Sequence, residues 1–269
     1  MGCFKKIVLL AGLPRTGSTL LSNILAQNSN MHVESNSALC QVMWDAKVSC
    51  EEHANEQLMG AGKHISFRKH LMESIPQIYY PNAENKVVLD KCRPWVNQFN
   101  INMARTYIDK NIKSVVMVRP MEEVVASYAR IYFKNNGETP YEKLLTHGNH
   151  LLMASFAATL EAAKAKDPSF LFVSYDDLVK NTQAVLNKIY NHIQEDPFVH
   201  NTQQVDQVVF EDDASNNMHG MHKIRRKVQR QLNPVVLPDW VLTKCKALTE
   251  TLYSELDCNT FKDRGVLNA

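Results

Sequence analysis

Apolar runs of strand length recur along the chain at Ile7–Leu10, Val87–Leu89, Ser114–Val118 and Phe170–Val173. Each is too short for a helix and lacks the polar alternation of a half-exposed strand, so each is expected in a parallel sheet covered on both faces. Helical patterns fall between them, over about 97–110, 121–134 and an alanine-rich 141–166. After the first run, Gly12-Leu13-Pro14 breaks the strand, and Leu20, Leu21, Ile24 and Leu25 recur on one helical face. The alternation predicts an α/β fold of three layers, a central and mostly parallel sheet flanked by helices, with the ligand at the carboxyl ends of the strands. Two stretches stand outside it. Residues 48–81 are polar and helical with three histidines, and residues 201–222 form a polar, acidic loop; both read as lid or acceptor-side segments.

At 269 residues, 45% hydrophobic and 22% charged, the chain can bury a full core as one domain, 1–269. A formal charge of +2 announces neither a nucleic-acid nor a membrane partner, so any basic function must come from a local cluster. No apolar run approaches the roughly 20 residues of a spanning helix, and Met1–Lys6 lead straight into a strand without a signal-like core. A cytoplasmic protein is expected. The six cysteines show no C-x-x-C spacing and are expected to be reduced thiols. Among the ten histidines no zinc-type spacing occurs, and no metal site is expected.

The stretch from Gly12 to Thr19 is almost a phosphate-binding P-loop, with Gly12 and Gly17 five apart and Thr19 following. Ser18 stands where that loop has its lysine, and the nearest cation is Arg15. A glycine-rich turn from strand to helix still directs backbone N–H groups at an anion. Arg15, Thr16, Gly17, Ser18 and Thr19 could surround one phosphate, but the lysine that reaches along a triphosphate is missing. A second anion element follows the strand at 114–118, where Arg119 closes the strand and Ser127 lies two turns along the next helix. Met121, Val124, Val125 and Tyr128 mark that helix's core face. Two phosphate sites at two strand-to-helix junctions match a nucleotide with phosphates at both ends of its ribose.

Gly12-Leu13-Pro14-Arg15-Thr16-Gly17-Ser18-Thr19-Leu20-Leu21 resembles the 5′-phosphosulfate loop of the sulfotransferase family, and Arg119 with Ser127 resembles that family's 3′-phosphate element. The resemblance covers about half the chain. It implies a P-loop-like nucleotide-binding fold and the donor 3′-phosphoadenosine-5′-phosphosulfate, which leaves as adenosine 3′,5′-bisphosphate, with a hydroxyl acceptor, or less readily an amine, and no required metal. In the family a basic segment near the C-terminus closes over the 3′-phosphate, which makes Lys223, Arg225 and Arg226 candidates. Cytosolic members carry Arg-Lys-Gly there, whereas this chain has Val228 after Lys227.

In-line sulfuryl transfer needs a cation at the leaving oxygen and a base for the acceptor proton. The stretch Val87–Trp95 has no histidine at the position where small-molecule sulfotransferases carry their base. It is more similar to the tyrosylprotein sulfotransferase type, which implies Lys91 on the sulfuryl group and Glu34 as base. Asp90 is the main rival base, followed by His32 and His222. Arg15 is expected on the 5′-phosphate and the leaving oxygen, and Trp44, Trp95 and Tyr132 could wall the acceptor. No motif specifies the acceptor. Two other functions fit parts of the pattern. One is an NTP-dependent kinase with a divergent loop, marked by ATP- and Mg²⁺-dependent activity. The other is a non-catalytic nucleotide-binding protein, marked by bisphosphate binding without transfer.

Overall fold

The computed structural model describes residues 4–146, 151–215, 217–230 and 235–256. Its centre is a five-stranded sheet in the order β2-β3-β1-β4-β5, every pairing parallel. The strands are β1 (Lys6–Gly12), β2 (Met31–Asn36), β3 (Val87–Lys91), β4 (Lys113–Val118) and β5 (Phe170–Ser174). The helices are α1 (Ser18–Leu25), α2 (Leu39–Val48), α3 (Asn55–Gly60), α4 (His64–Tyr79), α5 (Gln98–Tyr107), α6 (Met121–Asn136), α7 (Tyr141–Leu145), α8 (Leu151–Ala165), α9 (Tyr175–Lys180), α10 (Thr182–Ile193) and α11 (Asp239–Glu255).

The period of two along each central strand feeds two cores. Ile7, Leu9, Ala11, Val88, Val116 and Val118 pack on one face with residues of α2, α4, α5, α6, α8 and α11. Val8, Leu10, Val87, Leu89, Val115 and Met117 pack on the other with α1, α9 and α10. The continuous apolar runs are therefore the signature of double cover, as expected, at about 1.5–3 kcal/mol for each fully buried aliphatic side chain.

Three features depart from the pattern. β2 is polar (MHVESN) and only partly buried because it is an edge strand paired with β3 alone. The stretch expected as one helix over 141–166 divides into α7 and α8, with Thr146 extended (φ −84°, ψ 136°) at the end of α7. Leu20 is only partly buried, packed at the margin of the core in which Leu21, Ile24 and Leu25 are fully buried, and it also lines the cleft at the carboxyl ends of the strands. Segment 48–81 is helical as expected, with α4 packed on α2. The polar segment after α10 carries neither helix nor strand from 201 to 230 among its described residues.

Cys40, Cys50, Cys92 and Cys245 are buried free thiols; Cys3 and Cys258 lie outside the described residues. Among the described residues no helix is long and apolar enough to cross a membrane.

Candidate active site

The carboxyl ends of all five strands open onto one cleft. Asn36 reaches it from β2, Lys91 from β3, Arg15 to Leu20 (Thr16 excepted) from the β1–α1 loop, Arg119 from β4 and Tyr175 from β5. The cleft encloses about 1030 Å³ of empty space, part of it open solvent.

Local backbone chemistry shapes the first wall. Gly12 has φ +115° and passes so close to β4 that a Cβ would lie 2.3 Å from the Met117 carbonyl oxygen. Leu13 N–H donates to that same oxygen at 3.1 Å, and Thr16 Oγ1 donates to Leu13 O at 2.6 Å. Thr16 is fully buried and tightens the loop instead of facing the cleft, which corrects its expected role as a ligand donor. Arg15 takes the left-handed conformation (φ 62°) and Gly17 follows at φ 87°, turning the chain so that Gly17, Ser18 and Thr19 line the cleft at the start of α1.

Arg119 and Ser127 form the second wall, and they meet the first. Arg15 Nε donates to Ser127 Oγ at 3.1 Å, and Arg119 Nη1 donates to Arg15 O at 3.2 Å. Arg119 also stacks on the Tyr175 ring at 4.2 Å and pairs with Glu123 at 2.8 Å. Glu123 in turn accepts from Arg230 at 2.9 Å. The ion pair with an acidic residue of α6 and the position in the cleft thus coexist. Burial pushes the Arg15 guanidinium down from its ordinary value; Tyr128 opposes that shift, while Arg130 and Arg119 add to it.

At the end of β3, Lys91 Nζ donates to Thr19 Oγ1 at 3.0 Å and to the Glu211 carboxylate. Burial pushes this ammonium down, and Glu211 pulls it back up. Glu211 arrives from the irregular segment after α10, which Asn23 holds. That buried side chain of α1 accepts from the N–H groups of Val208 and Val209 at 2.7 and 2.9 Å. The same segment brings His222, whose Nε2 lies 3.2 Å from Glu211 and whose Nδ1 lies 2.5 Å from Asp213. Burial pushes the imidazole down, with the two carboxylates acting against it.

The carboxylates expected as bases lie elsewhere. Glu34 is half-exposed, its Oε1 2.7 Å from His32 Nε2, and neither residue lines the cleft. The pairing of β2 with β3 shifts register between Val33 and Asn36, and it is Asn36 that reaches the cleft. Asp90 is fully buried and points to the other side of β3 from Lys91. Its carboxylate accepts from Ser37 Oγ (2.8 Å), Tyr80 OH (2.7 Å) and Trp95 Nε1 (2.6 Å). It is a structural hub, and burial raises its pKa in spite of those donors. Trp95 belongs to that hub, and neither Trp44 nor Tyr132 lines the cleft. Of the basic run, Lys223, Arg225 and Lys227 line the cleft, whereas Arg226 turns out to solvent toward Asp206 at 3.7 Å.

Arg93, Arg130, Tyr175, Glu211 and Asp213 carry no sequence signal of their own. The acidic character of 201–222 was the one hint of Glu211 and Asp213, and a buried asparagine on the apolar face of α1 could have flagged Asn23.

The arrangement defines an α/β protein of the P-loop-like class, with Ser18 at the position of the loop lysine and Arg15 as the cation of the loop. The sulfotransferase family model matches residues 8–198, and the chain belongs to that family, an enzyme family of transferases. No curated protein matches. The sulfotransferase domain from the curacin biosynthetic pathway superposes with a TM-score of 0.60 at 17% identity, over 96% of this chain and 100% of that one. The sulfotransferase domain of the Synechococcus PCC 7002 olefin synthase does so at 0.54 and 16%, over 94% and 96%. These likenesses show the same fold. The resemblance to the tyrosylprotein type rests on Lys91 and Glu34, of which only Lys91 lines the cleft.

Proposed function

We propose that the protein transfers the sulfuryl group of 3′-phosphoadenosine-5′-phosphosulfate to an acceptor hydroxyl by in-line displacement. The observation that carries this reading is the shared cleft of two anion elements: the loop after β1 and the pair Arg119–Ser127 after β4 are linked through Arg15. One adenosine with a phosphate group at each end would engage both. The loop N–H groups of Gly17 to Thr19 receive the 5′ end, and Arg119, Ser127, Lys223 and Arg225 the 3′-phosphate. Arg15 turns from Ser127 to the leaving oxygen.

Lys91 and Thr19 hold a carboxylate, that of Glu211. The sulfuryl oxygens take over these donors when the donor binds, and Glu211 withdraws. That withdrawal removes one of the two carboxylates on His222 and frees Nε2, while Asp213 keeps the proton on Nδ1 and fixes the ring. His222 then accepts the acceptor's proton as the oxygen attacks sulfur. The S–O bond to the phosphate breaks with its electron pair going to the bisphosphate, whose charge Arg15 and Lys91 stabilise. In this reading 1–269 acts as one catalytic domain, in the cytoplasm, and its segment 201–222 carries both Glu211 and His222 into the site.

A thermal-shift comparison tests the donor. Adenosine 3′,5′-bisphosphate should raise the melting temperature and ATP·Mg²⁺ should not. A shift with ATP·Mg²⁺ alone would turn the reading to phosphoryl transfer.

A further inference from the structure

The cleft holds more positive charge than the proposed donor uses. Arg15, Lys91 and Arg119 each have a hydrogen-bond partner within the chain. Arg93 and Arg130 also line the cleft and are only partly buried, yet neither has a hydrogen bond or ion pair among the described residues. Among the described residues Glu211 is the one carboxylate on the cleft wall, and it lies on Lys91.

Backbone geometry gives Arg93 its direction. Cys92 is extended (φ −148°, ψ 121°), so Lys91 and Arg93 project to one side and Cys92 to the other, where it joins the core. Arg93 therefore stands next to the cation assigned to the sulfuryl group. Arg130 follows Ser127 by three positions on α6, which places both on one face of the helix. Arg93 and Arg130 line the same cleft as Arg15 and Ser127. A guanidinium offers five donors in a planar fork that matches a carboxylate or a phosphate, and two such forks without a protein carboxylate beside them suit an anion.

We propose that the acceptor is an anionic hydroxyl compound whose carboxylate or phosphate is held by Arg93 and Arg130 while its hydroxyl faces the sulfuryl group. The inference rests on the donor reading above and names the acceptor class for that same site. The anion positions the acceptor and is not transferred; the hydroxyl alone loses its proton and gains the sulfuryl group.

The test uses the full chain and matched probes. With the phosphosulfate donor, 4-hydroxyphenylacetate is compared with its methyl ester, and glucose 6-phosphate with glucose; the first pair reports on carboxylate recognition and the second on phosphate. In parallel, protein saturated with adenosine 3′,5′-bisphosphate is titrated with phenylacetate and phenyl phosphate against phenylacetamide and phenol, with thermal shift as the readout. The anionic member of at least one pair should be preferred. R93Q and R130Q should each raise its KM or Kd by about tenfold, with a smaller change in kcat, while bisphosphate binding stays within a factor of about two. R93K should recover part of the loss by keeping the charge without the fork. Neutral members that serve or bind as well as the charged ones would overturn the proposal, as would an anion preference that survives in R93Q/R130Q. Failure of the bisphosphate to bind the wild-type protein would instead count against the donor reading, and the two results are read separately.

Discussion

Arg15 Nε donates to Ser127 Oγ at 3.1 Å across 112 positions of sequence, so the loop after β1 and helix α6 of this sulfotransferase are in direct contact. The contact places Arg15 of the loop after β1 on Ser127 of α6, the two elements proposed above to hold the 5′ and 3′ ends of the donor. Arg119, bonded to the Arg15 carbonyl oxygen, completes the junction. R119A should weaken adenosine 3′,5′-bisphosphate by about ten- to a hundredfold and leave adenosine 5′-phosphate almost unchanged, since only the former has a group for it to hold. S127A should cost the bisphosphate about three- to tenfold by removing one neutral hydrogen bond. Calorimetric titration of the two nucleotides against each variant reads the difference directly.

The base is tested by a pair of substitutions. H222N should slow turnover by about a hundredfold or more with little change in donor affinity, whereas E34Q, altering a carboxylate outside the cleft, should stay close to wild type. The pH dependence carries a sign. A base works deprotonated, so activity rises as pH climbs through the His222 pKa. Burial holds that pKa below the ordinary 6.5, in spite of Glu211 and Asp213, with Lys91 adding to the lowering. The acid limb of kcat/KM should therefore fall below that value, and H222N should abolish it.

Asp90 predicts a stability effect. D90A leaves the hydroxyls of Ser37 and Tyr80 and the indole N–H of Trp95 without their acceptor in a fully buried place, which should cost about 3–5 kcal/mol in urea denaturation. D90N keeps an accepting oxygen and should lose less. Because burial raises the carboxyl's folded pKa above its unfolded one, its contribution is fully present below the ordinary carboxylate range and declines as pH rises through the folded value. D90N should remove that decline.

Gly12 predicts a backbone effect. G12A combines a φ of +115° with a Cβ at 2.3 Å from the Met117 carbonyl oxygen of β4. The loop would have to leave the strand, so G12A should lose about 3 kcal/mol or more and lose bisphosphate binding with it. A denaturation midpoint equal to wild type would contradict the observed approach of loop to strand.

The letters of the chain determined whatever depends on local order. Apolar runs such as Ile7–Leu10 and Ser114–Val118 were readable as doubly covered strands, and the glycine spacing of 12–17 as a tight strand-to-helix turn, because backbone conformation and side-chain alternation follow from neighbours in sequence. Arg119 and Ser127 were legible for the same reason, being two turns apart on one strand-to-helix junction. Only the tertiary structure decided which charged groups meet. Glu34 lies at the exposed edge of the sheet because a register shift in β2 brings Asn36 to the cleft, and Asp90 is turned inward because alternate residues of β3 face opposite layers. Glu211 and His222 reach Lys91 from 120 and 131 residues away, through an irregular segment held by Asn23, so no spacing rule could announce them. Electrostatic contacts depend on distance in space, and where the chain has no repeating backbone pattern that distance is set by the fold alone.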